Sequence, residues 1–339
     1  MGGKSLTRVL VTGGTGFLGQ HLCKRLNSLG YEVYVLGRNE KVGKELKKEG
    51  ISFIQTSLTE EGKVHNACKG MKYVFHCAAF SSPWGNYEEF YQRNVVGTRN
   101  IISACEKNGV KRLIHVSTPS LYFRFDDRLG VKEEDPLPKK AVNHYAYTKR
   151  LAEKEIDLAY QRGLPVITIR PRALFGEGDT TIIPRLIKAN AKKGVPMFRK
   201  GRILTDITYV GNVVDALLLC MNTREENLGE KYNITNGESM YFIDLLDRLF
   251  QELGTEFRKI HIPFSVAFSL VGLVEGLHKV FLPEKEPLLT RYSLSVIGKN
   301  QTLDITRAKE ELGYSPSISV DEGIQRYVKW YQQQEGEKE

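Results

Sequence analysis

Tyr145 and Lys149 stand four residues apart in His144-Tyr145-Ala146-Tyr147-Thr148-Lys149, the only Tyr-x-x-x-Lys in the chain. Composition alone yields about one such match, so its position matters more than its existence. It opens a predicted helix after the strand candidate at Leu113 to Ser117, and i,i+4 spacing puts both side chains on one face. A phenol titrating near 10 is a poor base at neutral pH. A neighbouring ammonium favours phenolate and lowers that pKa, which makes the pair a candidate acid/base unit. One strand earlier, His115-Val116-Ser117-Thr118-Pro119-Ser120-Leu121-Tyr122 places Ser117 and Thr118 at a strand's carboxyl end. A hydroxyl there can donate to a substrate oxygen beside the tyrosine. Ser and Thr are common in turns, so this signal counts only with the other motifs.

A proton-transfer pair of this kind needs a partner for the other half of a reaction. Val9 to Gly19 reads Val-Leu-Val-Thr-Gly-Gly-Thr-Gly-Phe-Leu-Gly, with Gly13, Gly16 and Gly19 between a strand and a helix. Gly13 allows a tight turn, Gly16 lets the backbone approach a pyrophosphate, and Gly19 lets the helix pack close to the sheet. The free N–H groups and dipole of the helix N-terminus then hold the anion. Together these features predict a bound dinucleotide. The second strand ends at Leu36-Gly37-Arg38-Asn39, where a carboxylate would hold the ribose 2′-OH of NAD. Gly37 leaves room instead, and Arg38 can pair with a 2′-phosphate, so NADP is expected ahead of NAD. The positive ring of an oxidised nicotinamide would further favour phenolate at Tyr145, and Lys149 can also hold the nicotinamide ribose.

These groups need a scaffold. Short apolar runs at Val9–Val11, Tyr31 to Leu36, Tyr73 to His76, Leu113 to Ser117 and Val166 to Arg170 alternate with helical patterns. Leu18, Leu22, Leu26 and Leu29 recur at helical spacing, and the stretches near 87–107 and 144–162 are also helical. This alternation predicts an α/β Rossmann-type, doubly wound parallel sheet whose site lies at the strands' carboxyl ends. After Ala173 it loosens, with helices near 181–193 and 241–253. Residues 1–172 plus about 206–237 are expected to form the dinucleotide-binding domain. About 173–205 and 238–332 are expected to form a smaller C-terminal substrate lobe, and 333–339 a polar, frayed tail. The 339 residues carry a net charge of +9, spread rather than blocked. Runs such as Lys44 to Lys48 and Lys111-Arg112 read as solvated faces and turns. No basic stripe interleaves with aromatics, so no nucleic-acid partner is expected. Five cysteines without a C-x-x-C pair argue against a disulfide framework or a metal site and fit a reducing, cytoplasmic setting. No signal peptide precedes Arg8, and Leu6 occupies the position where a myristoylation signal wants Ser or Thr.

These motifs resemble the extended short-chain dehydrogenase/reductases along nearly the whole chain. Thr-Gly-Gly-Thr-Gly-Phe-Leu-Gly at 12–19 is similar to that family's cofactor loop, which brings in Phe17 and Leu18. His76-Cys77-Ala78-Ala79 is similar to its fourth-strand motif, with Ala78 and Ala79 against the cofactor. Asn94-Val95-Val96-Gly97-Thr98 is similar to the following helix signature, and Arg170-Pro171 and Tyr209-Val210-Gly211-Asn212 to later markers. The resemblance implies a cofactor contact for Asn94 and Pro171. Its register, counted back from Tyr122, makes Thr118 rather than Ser117 the catalytic hydroxyl. Gln55-Thr56-Ser57-Leu58 departs from the usual Asp-Leu at the adenine, leaving Ser57 and Leu58 a weaker contact. Tyr122-Phe123 replaces the usual Tyr-Gly.

Within the family, sugar-nucleotide dehydratases carry Asp-Glu after the catalytic Thr; here Pro119 and Ser120 cannot act as that carboxyl pair. The chain is most similar to the 3β-hydroxysteroid dehydrogenase-like branch, including bacterial 2-alkyl-3-oxoalkanoate reductases. The resemblance rests on Ser82-Pro83-Trp84-Gly85, Pro287 to Tyr292 and Gln301 to Ile305. It implies hydride exchange with a 3-keto or 3-hydroxy carbon of a bulky apolar substrate, with Ser82, Trp84, Thr118 and Tyr145 towards that substrate. A nucleotide-sugar 4-epimerase of the same fold is the alternative, and a homodimer is allowed. Pro263 to Leu282 is apolar for about the length of a membrane span, but Glu275, His278 and Lys279 interrupt it. Peripheral membrane contact through 263–282 as a lid is a second reading. Core and surface of the substrate lobe is the reading favoured.

Overall fold

In the computed structural model, which describes residues 6–282 and 285–336, β-branched runs buried on both faces become the strands of one parallel sheet. They are β1 (Arg8–Thr12), β2 (Glu32–Gly37), β3 (Ser52–Gln55), β4 (Tyr73–His76), β5 (Arg112–Val116), β6 (Val166–Pro171) and β7 (Lys231–Ile234). Their spatial order is β3-β2-β1-β4-β5-β6-β7. The order reverses between β1 and β4, where Thr12 stands in register with His76. That switch point opens a crevice at the strands' carboxyl ends, as expected for a doubly wound sheet. β3 escaped the sequence reading; Ser52-Phe53-Ile54-Gln55 is four residues long with both ends exposed.

Helices cover both faces. On one, Leu22 and Leu26 of α1 (Phe17–Ser28) share a core with Val213 and Leu217 of the helix Val210–Asn222. On the other, Ile101 and Ile102 of α2 (Gly97–Lys107) pack with Ile156 of α3 (His144–Gln161). The chain enters α2 through Tyr87–Tyr91 and a π-helical turn at Gln92–Val96. The return of the later chain to the sheet is by the helix Val210–Asn222 and by β7. Arg112, expected in a solvated turn, is 5% exposed: its Nη1 donates to the Cys220 and Met221 carbonyls at 2.8 Å each, completing the end of that helix.

The remaining chain packs around Phe175, Ile183, Phe242, Leu246 and Tyr327. A four-stranded sheet joins Met240–Tyr241, Leu204–Thr205, Gln301–Leu303 and Arg128–Val131, so it takes one strand from within residues 1–172. The helix Val320–Gly336 continues past Gln333, where the sequence suggested a tail; residues 337–339 and the start of the chain considered for myristoylation, 1–5, lie outside the described residues. Pro263 to Leu282 becomes α4 (Phe264–Phe281). Its inner face carries Ala267 and Glu275, and its outer face exposes Val266, Leu270, Leu273, Leu277 and Val280 at alternating spacings of four and three. The segment, expected as core and surface of the substrate lobe, turns most of its apolar side outwards, with Leu273 68% exposed.

Candidate active site

The turn after β1 is built on glycine for two physical reasons. Gly13 takes φ +68°, and a Cβ there would lie 2.7 Å from the Ala78 Cα. A Cβ on Gly19 would lie 2.2 Å from the Gly13 carbonyl oxygen, so α1 can seat against the turn only without a side chain at that position. Gly16 precedes α1 without a side-chain cap, leaving the first N–H groups of the helix open to a ligand. The turn forms the floor of a cleft of about 710 Å³. Gly13, Gly16, Phe17, Leu18 and Gly19 line its middle; Arg38, Ser57 and Leu58 one end; Ala78, Ala79, Thr118, Tyr145 and Pro171 the other. The length, the open helix terminus and the bare glycines fit a dinucleotide. Gly37 has a role other than the one its sequence suggests: the space where its Cβ would stand is filled by Thr15, whose Oγ1 would be 2.7 Å away. Arg38 is exposed at the rim. The Ser57 hydroxyl is engaged in its own turn with Thr59 Oγ1 at 2.8 Å.

At the other end, Asn143 starts α3 by accepting from the Ala146 N–H at 2.8 Å, which presents Tyr145 to the cleft in the first turn. Burial pushes the Tyr145 phenol up to about 12, against a hydrogen bond shared with Thr118 that lowers it. Thr118 caps the short turn Pro119–Tyr122. Its Oγ1 lies 3.0 Å from Ser120 Oγ, which lies 2.8 Å from Tyr292 Oη. Thr118, Ser120 and Tyr292 thus form a file of three hydroxyls, whose Thr118 end lines the cleft with Tyr145. Ser120 and Tyr292 carry no local sequence signal, since 172 residues separate them. Ser117 is buried, with its hydroxyl beside Glu153 rather than in this file.

Lys149 departs from expectation. It is 2% exposed, and its Nζ donates to the Val116 carbonyl at 2.8 Å and lies 3.5 Å from His115 Nε2. The ammonium therefore does not lower the Tyr145 pKa in this arrangement; instead burial brings Lys149 itself down to about 8, with Glu153 opposing. The four-carbon stem lets the charged head turn to the end of β5 although the Cα shares a face with Tyr145. Asn94 also lies behind the cleft wall rather than on it. It holds the loop after β4 by accepting from Phe80 N–H at 2.7 Å, while its Nδ2 donates to the Phe80 carbonyl and Thr148 Oγ1 at 3.1 Å each. Beneath that loop, burial lowers His76 to about 3, so the neutral ring bridges Thr12 and Thr98 at 2.8 and 2.9 Å.

A second cleft of about 910 Å³ adjoins this end, and Tyr292 links the two. Trp84, Tyr87, Phe90 and Phe125 make it aromatic, and α4 closes one side with Glu275 and Lys279. Ser82 lines neither cleft; its hydroxyl donates to the Trp84 carbonyl at 2.6 Å and accepts from the Trp84 N–H at 3.2 Å. Asn143 and His144, also on this wall, were not singled out from sequence.

A family model described as "NAD dependent epimerase/dehydratase family" matches residues 9–235. The chain is 32% identical to a 2-alkyl-3-oxoalkanoate reductase of Stenotrophomonas maltophilia, over 94% of this chain and 98% of that protein. It is 33% identical to the decarboxylating sterol-4-alpha-carboxylate 3-dehydrogenase of Homo sapiens, over 95% of this chain and 87% of that one. In fold it is similar to the UDP-glucuronic acid 4-epimerase of Bacillus cereus solved with NAD, with a TM-score of 0.77 at 21% identity, covering 96% and 99% of the two chains.

Proposed function

The chain belongs to the NAD dependent epimerase/dehydratase family, the extended short-chain dehydrogenase/reductases, and on that premise we propose an NADP-dependent oxidoreductase acting on a bulky apolar substrate. The reacting carbon is a 3-keto or 3-hydroxy carbon of a steroid-like or long-chain 3-oxo acid molecule. The names of these two relatives support that choice. When bound, the nicotinamide supplies or accepts the hydride.

The chain's own residues do the rest. The α1 N-terminus and the glycine turn hold the pyrophosphate, and Arg38 faces the 2′-phosphate. The observation that carries the reading is that Tyr145 and Thr118 line the same end of the cofactor cleft, with the Thr118 hydroxyl bonded onward through Ser120 to Tyr292 of the second cleft. Thr118 steadies the substrate oxygen, and the Tyr145 phenol donates its proton to the alkoxide that forms there. With its pKa pushed up to about 12, Tyr145 holds that proton at neutral pH, which suits reduction. Ser120 and Tyr292 offer a path for its replacement. In the oxidising direction Lys149 would need to turn from Val116 towards the phenol and the ribose.

Tyr145→Phe keeps the ring and removes the proton. It should bind NADP normally and lose on the order of a hundred- to ten-thousand-fold in single-turnover hydride transfer. Unchanged transfer at saturating substrate would remove Tyr145 from the mechanism. The nucleotide-sugar 4-epimerase reading draws on the fold likeness and would be favoured by stoichiometric NAD surviving purification. The apolar stripe of α4 suits shallow insertion into a bilayer beside the second cleft, making this a cytoplasmic protein with peripheral membrane contact, alone or as a homodimer. Leu273→Glu with Leu277→Glu should then abolish co-sedimentation with phosphatidylcholine vesicles; unaltered sedimentation would refute the contact.

A further inference from the structure

Charge at the second cleft is out of balance. Lys139, Lys140, Lys279 and Arg291 line it against one lining carboxylate, Glu275. That carboxylate is already engaged: it accepts from Arg291 Nε at 2.8 Å and from the Arg291 N–H at 2.7 Å. Among the described residues no carboxylate comes within ion-pair distance of Lys139, Lys140 or Lys279. Burial, and after it the Lys279 charge, lowers the pKa of His144, the neighbour of Tyr145. Lys279 of α4 and His144 at the N-terminus of α3 line the same cleft. At that terminus, Asn143 has its Oδ1 engaged by Ala146, while its buried Nδ2 finds no acceptor. Ammonium groups without counter-charge and an amide donor without an acceptor, set around aromatic walls, describe a site for an anion with an apolar body.

We propose that the second cleft recognises its substrate as a carboxylate, held by Lys279, Lys139 and Lys140 with Asn143 beneath, while the apolar chain lies along Trp84, Tyr87 and Phe90. This rests on the reading that the cleft feeds Tyr145, and of the two substrate types proposed above, steroid-like molecules and long-chain 3-oxo acids, it selects the acids. Neutral steroids and esters would fit the walls and leave the ammonium groups unpaired.

The test compares an acid with its ester. A 2-alkyl-3-hydroxyalkanoate and its methyl ester are oxidised with NADP by the wild type, Lys279→Gln and Lys139→Gln/Lys140→Gln, followed by nicotinamide absorbance. Binding of decanoate and methyl decanoate to the same proteins is measured by titration calorimetry. The wild type should favour the acid by about ten-fold or more in kcat/KM and in affinity. Each variant should cut that preference by about three- to ten-fold, the range for losing a partly exposed ion pair. Raising the salt concentration should weaken acid binding and spare the ester. Equal binding of acid and ester, or variants that weaken both alike, would overturn the proposal. If neither compound is oxidised, the oxidoreductase reading fails for this substrate, and the binding arm still decides the anion site.

Discussion

Lys149→Met should make the protein more stable at neutral pH while slowing hydride transfer in the oxidising direction. Lys149 titrates at about 8 instead of its ordinary 10.5, because burial disfavours the charged form. That fall corresponds to a folding cost of about 3 kcal/mol at pH 7, at roughly 1.4 kcal/mol per tenfold change in acidity. Methionine is similar in length, carries no charge and removes the cost. It also leaves the Val116 carbonyl without its 2.8 Å donor, a loss of about 1.5–3 kcal/mol for a bond to a charged group. The net expectation is a gain of up to about 1.5 kcal/mol at pH 7. The pH dependence identifies the cause. A lysine whose folded pKa is lowered penalises folding fully below the folded value, and the penalty fades as pH rises towards the unfolded value. By pH 9.5 the wild-type cost should have fallen to about 1.5 kcal/mol, and the advantage of the variant should have vanished. Urea denaturation at pH 7 and pH 9.5 measures this, with single-turnover hydride transfer on the same samples. A variant less stable than wild type at pH 7, or an advantage that grows with pH, would refute the electrostatic account of Lys149.

Thr118→Ala should reduce turnover more than Ser117→Ala at near-normal cofactor affinity, because only Thr118 joins the hydroxyl file; steady-state kinetics of the pair would expose an error of one residue. Arg38→Ala should shrink the preference for NADP over NAD in fluorescence titrations, and equal wild-type curves for the two cofactors would dispose of that assignment.

How much of this could be read from the chain depends on how local each feature is. β1, the glycine turn and α1 are contiguous, and Gly13 and Gly19 sit where a side chain would strike neighbouring backbone, so type and spacing sufficed. β3 is too short and too polar at its ends to declare itself, and the four-stranded sheet gathers pieces of two to four residues from distant parts of the chain. The hydropathy of α4 was legible but its facing was not, because tertiary packing decides which side meets Leu294 and Phe198. Sequence placed Tyr145 and Lys149 on one helical face but could not fix the direction of a flexible ammonium. Tyr292, arriving from the far end of the chain, and the unpaired lysines of the second cleft become visible only once the fold brings them to the same place.

The π-helical turn at Gln92–Val96 sets a counting rule for this part of the chain. A π turn holds an extra residue compared with an α turn, which is why such turns are uncommon and tend to sit at functional positions. Here the surplus residue falls around Asn94, the side chain that latches the loop after β4 through both the N–H and the carbonyl of Phe80. Deleting one residue from 92–96 would let the segment from Tyr87 to Lys107 run as a regular α-helix, with better backbone hydrogen bonds. The residues before the deletion would rotate by about 100° relative to those after it, and the latch would miss its loop. Surface turns elsewhere can lengthen or shorten at little expense. In this helix the number of residues is itself part of the cofactor cleft, and a protein with the tidier helix would be firmer there and looser where the dinucleotide must lie.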